Sequence, residues 1–89
     1  VFTVVWAPNA VREVSRIHDY IAAFNPRAAA RLAAQLYEAG ASLAEHAERG
    51  RPVPATALRE LAIVNPYIIR YRVKGNVVRI LRVRHGAQQ

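Results

Sequence analysis

Two alternating runs near the C-terminus, Tyr67–Lys74 (YIIRYRVK) and Val77–Arg84 (VVRILRVR), are separated by nothing but Gly75-Asn76. Two residues make the shortest common hairpin connection, and a glycine there supplies the positive φ that such turns require. The chain is therefore expected to double back at this point, and a two-residue turn also sets the register. Tyr67, Ile69, Tyr71 and Val73 then share one face with Arg84, Arg82, Ile80 and Val78; Ile68, Arg70, Arg72 and Lys74 share the other with Val83, Leu81, Arg79 and Val77. The first face is apolar except at its Arg82/Arg84 end and is the side other elements should cover. A bulge and an early end to that cover are two ways of accommodating these arginines. The second face is basic toward the turn, with Arg72 opposite Arg79, a like-charge pair that costs roughly a few tenths of a kcal/mol. A bound anion or a partner's carboxylate would relieve it, and so would two splayed, solvated side chains.

The rest of the chain supplies a cover. Phe2–Trp6 (FTVVW) is rich in β-branched and aromatic residues and reads as a strand. After Pro8, apolar residues at Ala10, Val11, Val14, Ile17, Ile21 and Phe24 recur at helical spacing, and proline suits a first helical turn. Asn25-Pro26 pairs an N-cap with a residue suited to the first helical position, so a second helix begins there and runs to about Ala47. Gly40 lies inside it, where it costs about 1 kcal/mol relative to alanine. Small residues along this helix permit a tight antiparallel helical hairpin. Arg49–Thr56 (RGRPVPAT) carries Gly50, Pro52 and Pro54 and reads as a loop, and Leu58–Val64 is a further strand. The expected fold is α+β in the order β-α-α-β-β-β: one domain over residues 1–89, with a helical hairpin packed on one face of a small mixed or antiparallel sheet.

Several function classes are disfavoured by content. The chain has no cysteine, and His18, His46 and His85 are not at metal-ligand spacing, so neither a disulfide, a metal nor a cofactor is expected. No apolar stretch approaches the roughly 18–20 residues of a membrane span, and the start lacks the basic region of a signal peptide. A cytoplasmic location without membrane association follows as the expectation. The net charge is +7, and its distribution is uneven: every acidic residue lies at or before Glu60, whereas Arg70, Arg72, Lys74, Arg79, Arg82 and Arg84 follow it. A cationic C-terminal half favours anionic partners.

The run Arg59–Gln89 is similar to the tail of RelE/ParE-type toxins, in which a strand ending Tyr-Arg-Val (here Tyr71–Val73) leads through a short turn into an Ile-Leu-x-Val-x-His strand (Ile80–His85). Ala7–Ala10 (Ala-Pro-Asn-Ala), joining the first strand to the first helix, also resembles that superfamily. The resemblance implies the toxin of a type II toxin–antitoxin system, neutralised by an antitoxin with an acidic, amphipathic C-terminal segment. It offers two activities, ribosome-dependent mRNA cleavage in RelE-like members and poisoning of DNA gyrase in ParE-like members. Cleavage requires groups that deprotonate the 2′-hydroxyl, steady the phosphate and protonate the leaving oxygen. The cleaving members place an arginine three residues before the tyrosine that corresponds to Tyr71, where this chain has Ile68. Their terminal His-Tyr pair aligns with Gly86 and Ala87, and no tyrosine follows Tyr71.

The His85–Ala87 ending resembles the ParE-like branch, so the expected target is DNA gyrase, bound without covalent chemistry by the toxin itself. On that reading there are no catalytic residues, and the partner-binding residues are Trp6, Arg12, Arg16, Arg70, Arg72, Lys74, Arg79, Arg82 and Arg84. Two alternatives remain. One is an mRNA interferase acting on the ribosome through Arg70, Arg82 and His85; the other is a degenerate member that retains only antitoxin binding. His85 can also serve simply to close the sheet, and Glu60 to pair with Arg59, Arg70 or Arg72. Trp6 reads as a core residue or as the rim of an antitoxin site. Arg12 and Arg16, one helical turn apart, as are Arg27 and Arg31, are either receivers of the antitoxin's acidic segment or a solvated helix face.

Overall fold

The computed structural model describes residues 1–86. Strand β1 (Thr3–Trp6) leads into helices α1 (Pro8–Ala22) and α2 (Pro26–Ala41), followed by β2 (Arg51–Pro52), β3 (Leu58–Val64), β4 (Tyr67–Lys74) and β5 (Val77–His85). Both helices begin where proline dictates. Pro8 opens α1, and Asn25 caps α2 by accepting a 3.1 Å hydrogen bond from the Ala28 N–H. The five strands form one sheet in the order β1-β5-β4-β3-β2, with β1 parallel to β5 and the other pairs antiparallel. A parallel partner needs a crossover connection, and the helical hairpin belongs to it. Its apolar face closes on one side of the sheet.

The core lies between these layers. Ala10 and Val14 of α1 and Leu36 and Ala39 of α2 meet Leu61, Ile69, Tyr71, Val78, Ile80 and Val83 of the sheet. Tyr71 is fully buried with its hydroxyl satisfied twice, accepting from the Gly50 N–H at 2.9 Å and donating to the Ala47 carbonyl at 2.8 Å. Burial pushes this phenol above the ordinary tyrosine value of 10.0 despite the Gly50 hydrogen bond. Arg59 steadies the same loop through a 2.7 Å bond to the Gly50 carbonyl. Among the described residues no helix is long and apolar enough to cross a membrane.

Three expectations about elements need correction. Helix α2 stops at Ala41 and passes into a 3₁₀ turn, Ser42–Ala44, rather than continuing to Ala47. Arg49–Thr56 reads as loop, yet Arg51 and Pro52 pair with Glu60 and Arg59 to form an edge strand, a place where proline's missing N–H is harmless. Phe24 closes the helical apolar series but is 79% exposed, because α1 ends before it and the chain turns away from the core.

Candidate functional site

The β4–β5 ladder begins as its turn requires. Gly75 has φ of 58°, Lys74 pairs with Val77, Arg72 with Arg79, Val73 with Val78 and Tyr71 with Ile80. There the register shifts. Arg70 faces Arg82, Ile69 faces Val83, Ile68 faces Arg84 and Tyr67 faces His85, leaving Leu81 as the extra residue of a β-bulge. This corrects the uninterrupted register, which put Arg82 and Arg84 on the covered face. Strict alternation past Ile80 would bury Arg82 under the helices. One inserted residue exchanges faces for everything beyond it, so Val83 enters the core at 2% exposure and the two arginines join the rungs of Arg70 and Ile68.

The uncovered face of the sheet thus carries Arg70, Arg72, Lys74, Arg79 and Arg84, while Arg82 at the bulge turns to the flank of α1; among the described residues Arg70 and Arg82 are paired with carboxylates and the others are not. Arg70 is held by Glu60 on β3, through Nε at 3.0 Å and Nη2 at 2.6 Å. Arg82 reaches past the sheet edge to Glu13 on α1, donating from Nε at 2.8 Å, while the other Glu13 oxygen accepts the Val83 N–H at 2.8 Å. Burial alone would raise the Glu13 carboxyl. The hydrogen bonds from Arg82 and Val83, with the charges of Arg82 and Arg84, outweigh it and hold the group below the ordinary carboxylate value of 4.5. Arg72, Lys74 and Arg79 are exposed and form no ion pair among the described residues.

A second feature lies at the other end of the β4–β5 ladder. His85 packs edge-on against Tyr67, centroids 5.6 Å apart. Beside them a groove of about 470 Å³ runs between α1 and β5, lined among others by Arg16, Tyr20, Tyr67 and Arg82. Tyr20 and Phe24, 73% and 79% exposed, stack edge to face at 5.8 Å just beyond. His85 also shares a hollow with Arg70 and Arg84 on the opposite side. Arg70, Arg82 and His85 are therefore neighbours, with both arginines already engaged by carboxylates. Arg12 bonds to Asn9 in its own helical turn. Trp6 is half-buried between β1 and α2, 4.8 Å from the Tyr37 ring. Ala87 lies outside the described residues.

Glu13, Tyr20 and Phe24 are participants that local sequence patterns do not assign to the site. Glu13 meets Arg82 across 69 positions of sequence, and no local pattern announces such a contact. Tyr20 and Phe24 are four positions apart, a spacing that signals a shared face, but Phe24 also fits the apolar core series of the first helix.

The helical hairpin on a mixed sheet is a fold found in solved structures. It matches a chain of the structure titled "Chromosomal ParDE TA system from P. aeruginosa" with a TM-score of 0.83, over 94% of this chain and 95% of that one, at 24% identity. The chain belongs to the ParE toxin family, described as "ParE toxin of type II toxin-antitoxin system, parDE", which matches residues 4–89. It is 51% identical over 85 residues to "Toxin RelE2" of Caulobacter vibrioides, covering 96% of each chain. It is 41% identical over 91 residues to "Toxin RelE1" of the same organism, covering 99% of this chain and 97% of that one. "Putative toxin Y4kP" of Sinorhizobium fredii is 41% identical over 85 residues, 94% of this chain and 88% of that one.

Proposed function

We propose that this type II toxin acts by binding, that its target is DNA gyrase, and that it holds the enzyme in its DNA-cleaved state until a cognate antitoxin removes it. The observation that carries the reading is the state of the groups RNA scission would use. Arg70 and Arg82 are neutralised by Glu60 and Glu13, and Tyr71 is sealed in the core. Ile68 occupies the position where cleaving members of the superfamily carry arginine. A phosphate-steadying arginine must present its charge to the scissile group, and a catalytic acid must reach the leaving oxygen; the occupied arginines and buried phenol argue against both. The antitoxin's acidic, amphipathic segment is assigned to α1 and the turn after it, where Arg16 and the exposed Tyr20 and Phe24 offer charge and aromatic anchors together.

Purified toxin is expected to accumulate cleaved DNA in a gyrase supercoiling and cleavage assay, with reversal on adding antitoxin. No cleaved DNA at any toxin concentration would reject the target. The second reading, a ribosome-dependent mRNA interferase, is favoured by one arrangement: His85 sharing a hollow with Arg70 and Arg84. Primer extension on translated message separates the two, since codon-positioned cuts that vanish in His85→Ala belong only to the interferase.

A further inference from the structure

We infer that the open sheet face around the β4–β5 turn is a phosphodiester-binding surface that grips the backbone of duplex DNA. The inference adds a direct DNA contact to the gyrase-directed reading and rests on it for the choice of DNA as the nucleic acid. Its centre is the rung where Arg72 and Arg79 stand opposed, with Lys74 on the next rung toward the turn. Directly opposed side chains have Cβ atoms about 4.5–5.5 Å apart, so two cationic side chains leave the sheet from adjacent points, a like-charge pairing that folding alone disfavours. Elsewhere in this molecule arginines of the same strands have found carboxylates: Arg70 has Glu60 and Arg82 has Glu13. The Arg72–Arg79 rung has none among the described residues, and the uncompensated pair sits on the one face the helices leave open.

The surroundings favour a phosphate backbone over an acidic protein segment. A protein interface is organised around large buried anchors, aromatic or long aliphatic. Beside the rung the neighbouring strand offers Thr3 and Val5, with Val77 on β5, and Val5 and Val77 are small and only 37% and 39% exposed. The aromatic anchors, Tyr20 and Phe24, lie with Tyr67 and His85 at the other end of the ladder. Phosphate contacts need no apolar centre, only fixed cations, and the planar arginine fork matches phosphate oxygens bidentately. The two surfaces are therefore separable: an aromatic groove suited to a protein at one end and bare cations suited to phosphate at the other.

The test is fluorescence anisotropy with a labelled DNA duplex of arbitrary sequence, across a series of salt concentrations and without gyrase. Wild-type toxin is expected to bind with an affinity that falls steeply with salt. The R72Q/R79Q double variant should bind roughly tenfold to a hundredfold more weakly near 0.1 M salt, with a log–log slope lower by about 2, one phosphate contact per arginine. R27Q/R31Q removes the same charge from exposed positions on α2 and should leave the slope nearly unchanged. Relief of the opposed charges should also leave the thermal midpoint of R72Q/R79Q unchanged or slightly raised, so lost binding cannot be read as lost folding. The inference is overturned if the two double variants bind alike, or if a labelled acidic peptide binds wild-type toxin while duplex DNA does not. Tighter binding to single-stranded RNA than to duplex DNA overturns the choice of DNA. A parallel gyrase assay keeps the readings apart: trapping without DNA binding removes this surface and leaves the target, whereas DNA binding without trapping does the reverse.

Discussion

Glu13 does two jobs with two oxygens, and both arise from where β1 stops. Beyond Trp6 the outer edge of β5 has no strand partner, so the Val83 N–H would point at the flank of α1 unsatisfied. One carboxylate oxygen accepts that N–H, and the other takes Arg82, joining helix to sheet at the bulge. Glu13→Gln keeps an acceptor for Val83 but loses the charge-assisted bond to an arginine that is itself 45% exposed, so the expected loss is about 1 kcal/mol by urea unfolding at neutral pH. The pH dependence has a definite sign. The folded-state carboxyl is held below its ordinary value of 4.5, so its contribution is complete above that value and disappears as pH falls through the lower folded value. Wild-type stability should therefore drop more steeply than that of Glu13→Gln on acidification below about pH 4.5. Parallel curves for the two proteins would show that Glu13 is not held in its ionised form.

At the scale of elements, Gly40 decides how β1 and α2 can approach. A Cβ built there would lie 2.3 Å from Trp6 Cζ2 and 2.8 Å from Ile80 Cδ1. Helix propensity alone ranks Gly40→Ala as stabilising by about 1 kcal/mol, whereas overpacking a closed interface costs about 1–3 kcal/mol. Both obstructing atoms belong to large side chains wedged in or against the core, so the steric cost should prevail and Gly40→Ala should lower the thermal midpoint. A raised midpoint would mean that Trp6 can swing aside. The same contact separates what could be read in the sequence from what could not. The alternation of Tyr67–Lys74 and Val77–Arg84, the turn glycine and the Asn25-Pro26 start are local signals, and the strands and helix starts they announce stand where expected. The Leu81 bulge, the Arg51–Pro52 strand and the early end of α2 are set by partners far along the chain. The arginine list was legible as composition, but its division into paired Arg70 and Arg82 and open Arg72, Lys74 and Arg79 depended on Glu13 and Glu60.

Over the whole molecule, a net charge of +7 makes electrostatics a destabilising background with a few local exceptions. Added salt acts on both. It weakens the attraction of Glu13 for Arg82 and Glu60 for Arg70, and it weakens repulsion among the open cations. These effects oppose each other, and exposure decides between them. Each of the two glutamates is only 16% exposed and in direct contact with its arginine, so mobile ions screen the pair poorly. The open arginines and Lys74 repel one another through solvent over distances comparable to the Debye length, about 8–10 Å near physiological salt, where screening is effective. Relief of repulsion should win, and the thermal midpoint should rise by on the order of a few degrees between about 0.02 M and 0.3 M sodium chloride. R72Q/R79Q, which removes the most crowded part of the repulsion, should show a smaller rise, whereas Glu13→Gln, which removes an attraction, should show one at least as large as wild type. A midpoint that falls with salt in the wild-type protein would reverse the ordering and mean that the two carboxylate pairs, not the open cations, dominate the electrostatic balance of the fold.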